Sequence, residues 1–105
     1  MKNQKNYIYL NDEIKTSTDC SISILDRGFL FSEGVYEVAM CYNGKPFLFK
    51  EHLMRLENSL KHIQIKQPTI DLEKIAQFLL LKNNLTEETS TKYIQITRAV
   101  ALRKH

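Results

Sequence analysis

The sequence predicts an α+β fold: a two-layer sandwich in which an antiparallel-type sheet carries two helices on one face. Three observations predict it. Residues 35–42 alternate and run into Asn43-Gly44, a pair suited to the two positive-φ positions of a type I′ hairpin turn. The apolar period then lengthens to three and four residues, first over 51–62 and again over 71–83. A second alternating run follows from Thr91 to Val100. With 105 residues, 43% of them hydrophobic, the chain suffices for one ordinary core and reads as a single domain over 1–105.

Each element has a local reason. Tyr7-Ile8-Tyr9-Leu10 is β-rich, and Asn11-Asp12-Glu13 is a turn into Ile14. In the first alternating run Val35, Glu37, Ala39 and Cys41 share one face, and Tyr36, Val38, Met40 and Tyr42 the other. Pro46 lacks an N–H and so begins the return strand, which Phe47-Leu48-Phe49 completes. Leu53, Leu56, Leu60 and Ile63 stripe a helix from about Glu51 to His62, with the Glu51 acid at its positive end. A second helix runs from about Asp71 to Asn83, capped by Asp71 or Thr69, with Leu72, Ile75, Ala76 and Leu79 on its inner face.

Composition excludes several classes. The net charge of +3 comes from scattered lysines that form no basic stripe, which argues against nucleic acid as a partner. Cys20 and Cys41 have no metal-ligand or redox-motif spacing, so two free thiols in a reducing cytoplasm are expected. The start shows no basic–apolar–small leader, and the longest aliphatic run near a helix is Phe78–Leu81, which predicts neither signal peptide nor membrane span.

Two segments carry more specific information: ISILDRGFLFSEGVYEVAMCYNGKPFLFKEHLMRLENSL (residues 22–60) and YIQITRAVALRKH (residues 93–105). Together they resemble the N-terminal domain of the fold-type IV pyridoxal-phosphate aminotransferases, the D-amino acid branch above all, and the resemblance covers nearly the whole chain. It implies pyridoxal phosphate as cofactor and a dimer as the assembly. It also implies that Arg55, in EHLMRL, binds the cofactor phosphate. A guanidinium suits that role, being permanently charged and able to offer two parallel donors. On spacing alone Arg55 reads instead as a solvated helix arginine paired with Glu51. Tyr36, Arg103 and His105 match the trio that grips the substrate α-carboxylate in that branch, the last two supplied by the partner subunit. Val38 and Met40 match positions lining the side-chain pocket, although buried sheet packing explains them equally well.

Other residues read as structural. Glu37 points outward, Asp26-Arg27-Gly28 is a turn with an internal ion pair, and His52 and His62 are surface or hydrogen-bonded helix residues. Ala99 stands where the family has glycine, and Ser32-Glu33 where near relatives have glycine and aspartate. The resemblance places the cofactor-bearing lysine in a second domain beyond residue 105, and none of the eleven lysines present has a matching context. The expectation is therefore the N-terminal part of an enzyme moving an amino group from a D-amino acid such as D-alanine to a 2-oxo acid. It has no catalytic residue of its own, no metal, and no activity without the second domain. The alternatives are a non-catalytic module that associates with itself or with the complementary half, and the branched-chain aminotransferase or aminodeoxychorismate lyase branch.

Overall fold

The computed structural model describes residues 6–98. Among these residues are two antiparallel sheets, three α-helices and a single 3-10 turn at Ser17–Asp19. The first sheet is a hairpin of β1 (Tyr7–Leu10) and β2 (Glu13–Thr16), turned by Asn11 and Asp12 at positive φ. A short helix, α1 (Arg27–Phe31), leads into β3 (Gly34–Tyr42), the longest strand. The second sheet has the order β4-β3-β5, where β4 is Lys45–Pro46 and β5 is Ser90–Thr97. Between β4 and β5 come α2 (Phe49–His62) and α3 (Leu72–Lys82).

The core forms where both helices meet the inner face of β3. Ala39, Phe49 and Ala76 make a buried cluster, with Leu53 and Ile94 packed against it. Leu56 and Leu60 are each 2% exposed. Asp71, not Thr69, caps α3, its side chain accepting from the Lys74 N–H at 3.1 Å. Asn83 at the other end holds the first hairpin, accepting from the Tyr7 N–H at 2.7 Å and donating to the Tyr7 carbonyl at 2.9 Å.

Three local expectations are corrected. The return strand stops at Pro46, and Phe47-Leu48-Phe49 does not extend it. Phe47 N–H still reaches the Met40 carbonyl at 2.8 Å, but Leu48 turns left-handed at φ 54° and Phe49 starts the helix, two residues before Glu51. Burying the Phe49 ring against Ala39 and Ala76 explains the early turn, since a continued strand would carry that ring away from the core. Asp26-Arg27-Gly28 is no self-paired turn. Asp26 caps α1 through the Gly28 N–H at 2.8 Å, and Arg27 pairs with Glu33. The expected single sheet is divided in two. Ala99 and Val100, the expected end of the last strand, lie outside the described residues.

Two outcomes are expected of this core. Leu56→Ala lowers stability by about 2–5 kcal/mol in denaturant titration, because a buried leucine loses transfer energy and leaves a cavity. Gly44→Ala is also destabilising, since Gly44 sits at φ 74° and an added methyl would collide with the Thr86 carbonyl oxygen. An unchanged denaturation midpoint in either variant would contradict the packing described.

Candidate functional site

The site is built around one acid. Alternation along β3 sends Glu37 inward with Ala39 and Cys41, so it is buried at 7% exposure and does not point outward as its polarity suggested. A buried carboxylate needs partners, and α2 supplies two of them, three residues apart on one helix face. Arg55 Nε donates to Glu37 Oε2 at 2.9 Å and Nη2 to Oε1 at 2.7 Å, a two-point fork. His52 Nδ1 lies 2.7 Å from Oε1. An ionised carboxylate only accepts, so Nδ1 carries the proton and its 3.4 Å approach to Arg55 Nη2 is a contact between donors.

This geometry replaces the Arg55–Glu51 pair that spacing alone suggested. The Arg55 fork, helped by His52, holds the Glu37 carboxyl below its ordinary range against the opposing effect of burial, and Glu37 in turn raises the Arg55 pKa. Arg55 itself is mostly exposed, at 67% of its side chain. Its Nη1 makes no hydrogen bond among the described residues, so one edge of the guanidinium is held and another is uncommitted.

Tyr36, Val38 and Met40 occupy the other side of β3. Tyr36 and Val38 are exposed, at 64% and 43%, so buried packing does not account for Val38, whereas Met40 is half-buried. Their cross-strand partners on β5 are Gln95, Tyr93 and Thr91. Tyr93 stacks on Tyr36 with ring centroids 5.9 Å apart, and its hydroxyl donates to Gln95 Oε1 at 2.9 Å. Alternation along the last strand places Tyr93 and Gln95 on one face, but nothing in the sequence pairs that face with Tyr36. Arg103 and His105, expected beside Tyr36, lie outside the described residues. His62 is exposed, as expected of a surface residue.

Arg55 and Tyr36 therefore sit on opposite sides of β3, and the sheet edge decides whether one ligand can meet both. β4 pairs only with Cys41 and Tyr42, so from Gly34 to Ala39 one edge of β3 has no strand beside it among the described residues. Both faces of β3 border that edge. Among the described residues no group of three or more His, Cys, Asp and Glu side chains could hold a metal ion, and no helix is long and apolar enough to cross a membrane.

A second charged cluster closes the far end of the sheet. Arg27 and Arg98 both grip Glu33, at 2.6 Å each, and Arg98 Nη2 also donates at 2.6 Å to the Ile63 carbonyl beyond the C-terminus of α2. It ties α1, α2 and β5 together.

The domain thus presents an arginine pinned by a buried acid, beside a strand edge that is unpaired among the described residues. The match to known proteins makes the class specific. The amino-transferase class IV family model covers residues 34–104, every element from β3 to β5 included, and the chain belongs to that family. It is 36% identical over 95 residues to a D-alanine aminotransferase of Listeria monocytogenes serotype 1/2a (strain 10403S), covering 89% of this chain and 32% of the relative. The chain thus spans about a third of the length of the curated relatives it matches. Among solved structures, the branched-chain amino acid aminotransferase from Escherichia coli superposes with a TM-score of 0.79 at 22% identity, over 91% of this chain and 34% of that one. The T.th. branched-chain amino acid aminotransferase complexed with N-(5'-phosphopyridoxyl)-L-glutamate gives a TM-score of 0.79 at 17% identity, over 96% and 35%. These two likenesses establish the fold.

Acid should act on both carboxylates. Arg27, with Arg98, holds Glu33 at about 2, and Arg55 holds Glu37 below its ordinary value. A depressed folded-state pKa contributes stability that is present above the unfolded value of 4.5 and lost as pH falls toward the folded one. Stability should therefore fall between pH 4.5 and about 2, and Glu33→Gln should flatten that limb in denaturation curves measured across the range. A limb of equal depth in the variant would show that Glu33 does not carry it.

Proposed function

We propose that this chain supplies the cofactor-phosphate and substrate-carboxylate contacts of a pyridoxal-phosphate aminotransferase that moves an amino group from a D-amino acid, such as D-alanine, to a 2-oxo acid. The observation that carries the reading is Arg55, exposed yet fixed in direction by the buried Glu37. Its donor set fits a phosphate: Nη1 is uncommitted and the guanidinium stays charged. Bound there, pyridoxal phosphate would supply the electron-withdrawing ring and aldehyde on which amino-group transfer depends. Glu37 orients Arg55, and His52 completes the acid's coordination. Tyr36 offers a phenol to the substrate carboxylate, with Arg103 and His105 assigned to join it from a partner copy. Val38 and Met40 shape the surface met by the substrate side chain. No residue from 6 to 98 is assigned the amine that receives the cofactor's aldehyde.

The partner follows from the surface. Ile22, Ile24, Leu25, Phe29, Leu30 and Phe31 are exposed in and before α1, and Tyr36, Val38 and Tyr93 are exposed on the sheet. Apolar area of that kind favours burial against another protein surface. We assign it to a second copy of the chain and to the remainder of an aminotransferase fold, whether continuous with this chain or separate. The two free thiols suit a cytoplasmic location.

The test is a titration with pyridoxal phosphate, followed by visible absorbance and by borohydride trapping with peptide mapping. Phosphate-dependent binding near the millimolar range (roughly 4 kcal/mol) is expected for the 105 residues alone. Arg55→Gln should weaken it, and pyridoxal without phosphate should not depend on Arg55. Supplying the rest of the fold as a second chain should give keto-acid production from D-alanine. Binding indifferent to Arg55 would overturn the assignment.

A further inference from the structure

The inner face of the β3–β5 pair holds a polar cluster that amino-group transfer does not use. Cys41 is a free thiol with no exposed surface. Ser90 lies directly across from it on β5, and Lys92 lies across from Ala39. Strand parity puts all three on one face, with Lys92 diagonal to Cys41, a spacing of about 7–8 Å at the backbone that a lysine side chain spans. Among the described residues two buried side-chain polar atoms lack a hydrogen-bond partner, Ser90 Oγ and Lys92 Nζ. Both flank Cys41. The Lys92 amine rests instead 4.8 Å from the centroid of the Phe49 ring.

The Lys92 side chain as a whole is only partly buried, its Nζ alone being shielded from solvent, and the Cys41 sulfur is the polar group that acts on that amine most strongly. Burial pushes the Lys92 pKa below the ordinary lysine value, against the opposing effects of the Cys41 sulfur and the Glu73 carboxylate. A larger share of Lys92 is thereby a neutral amine with a free lone pair, the form that attacks electrophiles. Cys20, by contrast, gives its Sγ–H to the Thr16 carbonyl at 3.3 Å.

We propose that Cys41 and Lys92 form an oxidation-sensitive pair in which peroxide converts the Cys41 thiol to a sulfenic acid that Lys92 then captures as a sulfenamide, stapling β3 to β5. In the first step an S–O bond forms as the peroxide O–O bond breaks, sulfur loses two electrons, and water leaves. In the second the Lys92 nitrogen attacks that sulfur, an N–S bond replaces the S–O bond, and a second water leaves with one amine proton. The product lacks two hydrogens relative to the reduced chain. A small-molecule thiol reverses it by taking the sulfur into a mixed disulfide and returning the amine. Access to the buried sulfur requires only peroxide, which needs little more room than water, during local opening.

The experiment treats the folded chain with hydrogen peroxide and maps peptides without reductant. Expected is a peptide containing Cys41 joined to one containing Lys92, two hydrogens short of their sum, released by dithiothreitol and absent when peroxide is added in urea. Cys20→Ser should keep the link. Lys92→Arg should abolish it and leave Cys41 to advance to sulfinic acid. Recovery of Cys41 as an unmodified thiol under conditions that oxidise Cys20, or as sulfinic acid with Lys92 free in the native chain, would overturn the proposal.

Discussion

Glu37 is the constraint on which the middle of this domain depends. A carboxylate 7% exposed in the inner face of a sheet is unfavourable unless its lone pairs are engaged. The engagement comes from α2, where His52 and Arg55 are three residues apart and face the strand together. The acid therefore fixes the rotation of α2 as well as its own ionisation. Leu53 on the same helix adds the apolar part of that contact, packing where Phe49 and Ala76 meet Ala39. One polar and one apolar interaction, side by side, define how helix and strand dock.

The division of β3 into two unlike faces follows. Inward go Glu37, Ala39 and Cys41; outward go Tyr36, Val38 and Met40. The short β4 leaves the Gly34–Ala39 edge unpaired among the described residues, because Leu48 turns the chain to bury Phe49 rather than prolong the sheet. A core requirement thus opens the edge at which the two faces meet. Such an edge is a liability in an isolated domain and an asset where a ligand or a further protein segment lies along it.

Much of this was legible in the sequence, for identifiable reasons. The Asn43-Gly44 turn, both long helices and the last strand rest on local chemistry and periodicity, and each begins within two residues of its expected position. The role of Glu37 was missed although its signal was present: it shares parity with Ala39 and Cys41, the small residues that mark the buried face. Polarity was allowed to outweigh parity, and the rescue by His52 and Arg55 arises 15 and 18 residues away, beyond any local window. The same distance hides the Arg27–Glu33–Arg98 cluster, in which the last two residues are 65 apart. Phe49 was misplaced because aromatic residues favour strands, whereas tertiary burial decided its conformation.

A pinned arginine involves a trade in binding an anion. Glu37 cancels much of the Arg55 charge at short range, which weakens the pull on a phosphate compared with a free guanidinium. In exchange it removes the rotamer freedom that a free arginine would lose on binding, a saving of about 0.5–1.5 kcal/mol for one long side chain. It also aims the uncommitted Nη1 in one direction. The trade is unfavourable for a site that must attract any anion from solution. It is favourable where the anion is one end of a larger ligand whose other contacts already hold it nearby, since direction then matters more than reach. Under the function proposed above, Arg55 belongs to the second kind, a fixed support at one end of an extended site.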